Sequence, residues 1–162
     1  MIRKILFKTL LGAGLLSMMA SCATTYHPNS FSGGYSESRL APNVALVTFR
    51  GNGFTSALAV QKMALLRAAE VTAASGYRYF VITGTEDDSS TVAVTLPGYA
   101  NTSLSYGYGY GFANTSFMPA QTFPVVRPAV SFMVRMSNSQ RELAGFMHQI
   151  YDANYLQASL RT

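Results

Sequence analysis

Few side chains in this chain can do chemistry, and their spacing limits what that chemistry could be. Cys22 is the single cysteine of 162 residues, so an intramolecular disulfide is impossible and the thiol needs another use. His27 and His148 are the two histidines. His27 lies in the Ser/Thr-rich stretch that reads as a tether, and His148 has no Cys or His nearby in sequence, so a zinc site is not expected, and no Gly-x-Ser-x-Gly turn marks a nucleophile for a Ser-His-Asp relay. Arg67 and Glu70 stand three residues apart, the spacing of an ion pair on one helix face, flanked by Val60, Met63 and Val71. Glu86, Asp87 and Asp88 are contiguous, without the spaced ligands and glycine of a calcium loop, which reads as a solvated turn. Gly51-Asn52-Gly53-Phe54-Thr55-Ser56 falls where a phosphate-binding turn would. Ser56, however, takes the third glycine's place and no Walker lysine follows, which leaves a turn and a helix cap. No catalytic, cofactor or metal-binding residue is expected, and a hydrolase using Glu70 or Asp87 is the least favoured alternative.

Cys22 gains meaning from what precedes it. Arg3, Lys4 and Lys8 form a basic start, and an uncharged apolar run from Leu10 to Ala20 follows. That is the anatomy of a signal peptide, and the run is about half of the roughly 20 residues a membrane-spanning helix needs. Met19-Ala20-Ser21-Cys22 resembles the bacterial lipobox, with Met19 in place of the commoner leucine. The resemblance implies cleavage between Ser21 and Cys22, a diacylglycerol on the Cys22 sulfur, and an acyl chain such as palmitate on the new amino group. Two or three chains, at about 0.8 kcal/mol per buried methylene, would hold the protein to a membrane without any protein contact. Ala23, rather than an aspartate, follows the cysteine, which for such proteins points to the outer membrane.

Composition agrees with a small folded body. Hydrophobic residues at 49% against 12% charged are enough for a core. The formal charge of +5 falls to +2 once the three cations of residues 1–21 are set aside, so nucleic acid is not indicated as a partner, and the missing Walker lysine leaves no nucleotide expected. Residues 22–42 are rich in Ser, Thr and Gly without apolar periodicity, and read as a lipidated start and a flexible tether. A linker of about 20 residues would let the body sit on the order of 25 Å from the lipid.

The body, residues 43–162, is read as one domain. Asn43 to Arg50 alternates as a strand, with Val44, Leu46, Thr48 and Arg50 on one face and Ala45, Val47 and Phe49 on the other. A helix over 56–75 is capped by Thr55 or Ser56 and closed by Gly76. Its projection puts Leu58, Ala59, Leu65, Leu66, Ala69 and Ala73 on one arc, opposite Gln61, Thr72 and Ser75. Further strands are expected at Tyr77–Thr85, Thr91–Leu96 and Ala129–Ser137. Ser139 to Glu142 matches a capping box, and Asp152 caps a short last helix over Ala153–Leu160. These elements define an α+β fold: a mostly antiparallel sheet of about four strands, one long helix and a short C-terminal helix.

An insert at about 97–128 interrupts the domain. It holds Tyr106-Gly107-Tyr108-Gly109-Tyr110-Gly111-Phe112 and no charge before Arg127. It reads as a solvated loop. If it is extended, a period of two places Tyr106, Tyr108, Tyr110 and Phe112 on one face, an aromatic contact strip suited to a glycan such as peptidoglycan or to another protein.

Several phrases resemble a proteobacterial outer-membrane lipoprotein family to which no activity is assigned. They are GYS at Gly34–Ser36, LAPN at Leu40–Asn43, FRGNG at Phe49–Gly53, LLRAAE at Leu65–Glu70, GYRYF at Gly76–Phe80, PAVSFMVRM at Pro128–Met136 and YDA at Tyr151–Ala153. The segment Ser139–Gln149 departs from that family by its helical pattern. The resemblance implies lipidation and a cell-envelope location, at the periplasmic face or the surface, with the membrane as partner through Cys22. The expected role is a non-enzymatic structural or interaction module that meets an envelope protein or, alternatively, peptidoglycan.

Overall fold

The computed structural model describes residues 22–107 and 109–161. The leader read at 1–21, with Ser21 of the cleavage junction, lies outside them, as does Tyr108. In chain order the elements are β1 (Gly34–Ala41), β2 (Val44–Arg50), α1 (Ala57–Ala74), β3 (Tyr79–Asp87), β4 (Ser90–Leu96), β5 (Tyr99–Gly107), β6 (Tyr110–Met118), β7 (Gln121–Arg127), β8 (Ala129–Ser137), α2 (Gln140–Ala144), β9 (Tyr151–Asp152) and α3 (Ala153–Leu160). They fall into two units. One comprises the described residues up to Ser90 and from Arg127 onward; the other is Thr91–Val126. Among the described residues no helix is long and apolar enough to cross a membrane.

The first unit is a five-stranded antiparallel sheet in the order β1-β2-β8-β3-β9, with α1 and α3. The alternation of β2 is realised as the sequence indicates. Ala45, Val47 and Phe49 are fully buried and pair with Val134, Phe132 and Val130 of β8, so one face of both strands enters the core. Phe80 of β3 and Met136 of β8 continue that face, and α1 covers it with Val60, Ala64, Ala68 and Val71. Alanines at two of those positions let the helix lie close to the sheet. Burying a side chain the size of Phe49 contributes about 2–3 kcal/mol.

The caps of α1 are as expected. Ser56 accepts from the Ala59 amide at 3.2 Å. At the other end Gly76, at φ +80°, donates to Ala73 and Tyr77 donates to Thr72, the paired bonds of a Schellman ending. Because Tyr77 is used in that cap, β3 starts at Tyr79, two residues later than its expected start.

Several expectations need correction. The class is α+β, but the described residues hold nine strands rather than about four. The stretch 22–42 is not an irregular tether throughout, since Gly34–Ala41 forms β1 on the open edge of β2, from Gly34 opposite Arg50 to Ala41 opposite Val44. An exposed edge strand carries no apolar period, which is why composition alone reads as linker. On α1 the expected arc is displaced: Leu58 is 62% exposed and Thr72 fully buried. Nearly every position of this helix is apolar or small, so hydropathy ranks its faces poorly, and the Thr72 hydroxyl is satisfied by donating to the Ala68 carbonyl at 2.7 Å. The capping box at α2 does not form. Ser139 occupies the cap position without a side-chain bond, and Glu142 instead accepts from the Ser137 hydroxyl.

The second unit consists of β5 paired with β6 and β4 with β7. The insert read as a solvated loop is therefore extended and hydrogen-bonded. β5 and β6 pair without a shift from Tyr99 opposite Met118 to Gly107 opposite Tyr110, and Gly109 turns the chain at φ +81°. Threonine hydroxyls meet across the strands at Thr102–Thr115, 2.9 Å, and at Thr95–Thr122, 2.8 Å. This unit is exposed almost throughout.

Candidate functional site

Cys22 is exposed, with a free thiol, and the chain on its C-terminal side is held against the turn that follows β2. The Asn52 side-chain amide donates to the Cys22 carbonyl at 2.7 Å. One step on, the Thr24 amide donates to the Thr55 hydroxyl at 2.9 Å, the Asn52 amide donates to the Thr24 hydroxyl at 2.8 Å, and that hydroxyl donates to the Ser32 carbonyl at 2.8 Å. Thr24 is 3% exposed. Asn52 also accepts from the Phe54 amide at 2.9 Å and the Thr55 hydroxyl at 3.0 Å. The Gly51-Asn52-Gly53 turn, which has the look of a phosphate loop, thus directs its polar groups at the chain's own start. Gly51 lets the turn lie close against the start of α1, because a Cβ there would lie 2.8 Å from Thr55 Cβ and 2.9 Å from Val60 Cγ2.

A second cluster joins distant parts of the chain over α1. Arg67 binds Glu37 of β1 through two bonds of 2.9 and 2.7 Å and donates to Glu70 at 2.9 Å. Its guanidinium lies 4.1 Å from the centre of the Tyr35 ring. Glu70 also accepts from the Tyr26 hydroxyl and, at 2.7 Å, from Arg161 beyond α3. Burial pushes the Glu70 carboxyl up, but the bonds from Tyr26, Arg161 and Arg67 together outweigh it and hold the group below the usual carboxylate range. Burial, together with Glu70, raises Tyr26 above the ordinary phenol range, and the bonds to Glu37 raise Arg67. A general base needs a pKa near its working pH and a free lone pair toward substrate. Glu70 is instead held as a carboxylate at neutral pH with both oxygens engaged, as in a structural tie. A cleft of about 520 Å³ lies beside it, lined by Arg39, Arg67 and Arg161 with Glu37 and Glu70.

The remaining residues singled out in the sequence stay apart. His27 bonds to the Pro28 carbonyl at 2.6 Å, while His148 lines a shallow cleft with Thr83, Thr85 and Tyr151. Among the described residues no three His, Cys, Asp or Glu side chains gather as a metal site would require. Asp87 accepts from the Ser89 amide at 2.9 Å, and Asp88 from the Ser131 hydroxyl. The aromatic strip is divided. Paired residues of a hairpin share a face, so Tyr106 lies with Gly111 and Leu104, whereas Tyr110 and Phe112 lie on the other face with Gly107 and Ser105. Counting by twos fails here because the chain reverses between Gly107 and Tyr110. Tyr108 is outside the described residues.

Sequence reading missed Thr24, Tyr26, Glu37, Asn52 and Arg161 as partners. Three aromatic residues, Tyr26, Phe31 and Tyr35, in a stretch composed like a linker were the available signal, since flexible linkers are poor in aromatics. Compared with known proteins, the chain matches no family model, no curated protein and no solved structure.

Proposed function

We propose that this is a lipid-anchored protein of the bacterial cell envelope, fixed to the outer membrane by acyl chains on Cys22, and that its folded body serves as a non-enzymatic structural or interaction module. The observation that carries the reading is the run Met19-Ala20-Ser21-Cys22 after a basic and then apolar start, ending on the chain's single cysteine. Two features of the fold support it. Cys22 is exposed on the body's surface, open to modification, and the charged cluster around Glu70 has its carboxylates engaged by guanidinium and phenol groups rather than left open for proton transfer. The test is metabolic labelling with radioactive palmitate in a bacterium that processes lipoproteins. The full chain takes up label and sediments with membranes, whereas Cys22→Ser does neither. An unlabelled wild-type chain of full precursor mass refutes the proposal.

A further inference from the structure

Three large apolar side chains stand in water around Cys22. Phe31 is 100% exposed, Phe54 75% and Leu58 62%. Each lies within a few residues of a group bonded to Cys22 or Thr24. Phe54 donates its amide to the same Asn52 side chain that holds the Cys22 carbonyl. Phe31 sits at the tip of a tight turn closed by Ser30–Gly33 bonds of 2.8 and 3.1 Å, and its neighbour Ser32 accepts from Thr24. Leu58 is in the first turn of α1, three residues after Thr55, which accepts from Thr24, and helical side chains lean toward the N-terminal end, here the end nearest Cys22.

We propose that these three side chains form a membrane-docking face and that, with Cys22 acylated, the body lies flush on the bilayer with Phe31, Phe54 and Leu58 sunk into the interface between headgroups and acyl chains. This rests on the acylation of Cys22 proposed above, and the occupant is lipid because the anchor would leave the body at that point. Bonds from Asn52 and Thr55 reach Cys22 and Thr24, so no slack chain separates the sulfur from the fold, and acyl chains entering a bilayer draw their surroundings with them. The attraction is apolar rather than ionic. Lys62 stands one helical turn beyond Leu58 on α1, and Asp87 lines a cleft with Ala57 and Gln61 of the same helix start, so the two signs offset. Docking is therefore expected on zwitterionic lipid and in high salt.

The chain has no tryptophan, so one introduced indole reports its own surroundings. The acylated full-length protein carrying Phe54→Trp is placed in phosphatidylcholine vesicles whose acyl chains are brominated. Tyr155→Trp serves as the control, because α3 packs along the later half of α1: Gln157 bonds Ala69, which at about 1.5 Å per residue lies roughly 18 Å from the start of that helix. Insertion to about 5–10 Å quenches and blue-shifts the Phe54→Trp emission, about twofold in intensity, and leaves that of Tyr155→Trp unchanged. Acylated, vesicle-bound protein with both indoles equally unquenched overturns the docking face and leaves the anchor standing. A chain that is neither acylated nor vesicle-bound overturns both.

Discussion

Glu70→Ala removes one carboxylate from three donors, and the cost follows from how far each is withdrawn from water. Tyr26 is half-buried, and its hydroxyl loses a charged acceptor, about 1–2 kcal/mol. Arg67 keeps its two bonds to Glu37, so its loss is about 1 kcal/mol. Arg161 has a side chain 60% exposed and loses a few tenths of a kcal/mol at most. The sum is about 2–3 kcal/mol, read as a fall in Tm of about 6–12 °C for a body of this size. Glu70→Gln retains an acceptor for Tyr26 and costs about half as much. Urea unfolding followed by far-ultraviolet circular dichroism at pH 7 measures both, and a double-mutant cycle with Tyr26→Phe isolates the coupling. The pH dependence supplies an independent check. The Glu70 carboxyl is lower in the folded chain than its ordinary 4.5, so its contribution is fully present above pH 4.5 and disappears as pH falls through the depressed folded value. The gap between wild type and Glu70→Gln is therefore level from neutral pH down to about 5 and closes in stronger acid. A cost below about 0.5 kcal/mol at pH 7, the range of an ordinary surface substitution, refutes the reasoning, as does a gap that does not close in acid.

Gly34→Ala tests the start of β1. At φ +120° a new Cβ would stand 2.5 Å from the His27 carbonyl oxygen and 2.7 Å from that of Pro28. Both are backbone atoms, so the variant is expected to lose at least about 2 kcal/mol in urea unfolding, and an unchanged midpoint argues against the described turn. Replacing Thr91–Val126 with a short turn removes the second unit alone. The unfolding free energy of the first unit should stay within about 1 kcal/mol, since loop-closure entropy varies slowly with length, and a larger fall shows that the units depend on each other.

Elements with strong local signals were legible in the sequence. β2 and β8 announce themselves by alternation, and α1 and α3 by Ser56, Gly76 and Asp152 at their ends; Asp152 accepts from the Asn154 and Tyr155 amides at 3.0 and 3.2 Å. What was hidden depends on partners far away in the chain. β1 is extended because β2 has an edge to offer, and its own outward residues show no period. Arg67 with Glu70 was visible as a pair because three residues separate them. The bonds to Glu37, Tyr26 and Arg161 span 30 to 91 positions and leave no trace in local pattern. The face of α1 is hidden for another reason: in a helix of alanines and aliphatics the surroundings choose the buried side, and Thr72 enters the core with its hydroxyl turned back on Ala68.

The unshifted pairing of β5 with β6 bears on how this gene can change. Removing one residue from each strand leaves every remaining partner opposite its old neighbour, whereas removing one from a single strand exchanges the two faces beyond that point. Tyr106-Gly107-Tyr108-Gly109-Tyr110-Gly111 is a dipeptide written three times at the tip. Slippage of the DNA by one such unit deletes two codons at once, the increment that keeps the ladder in step, so this arm is free to drift in length between descendants while its pairing survives.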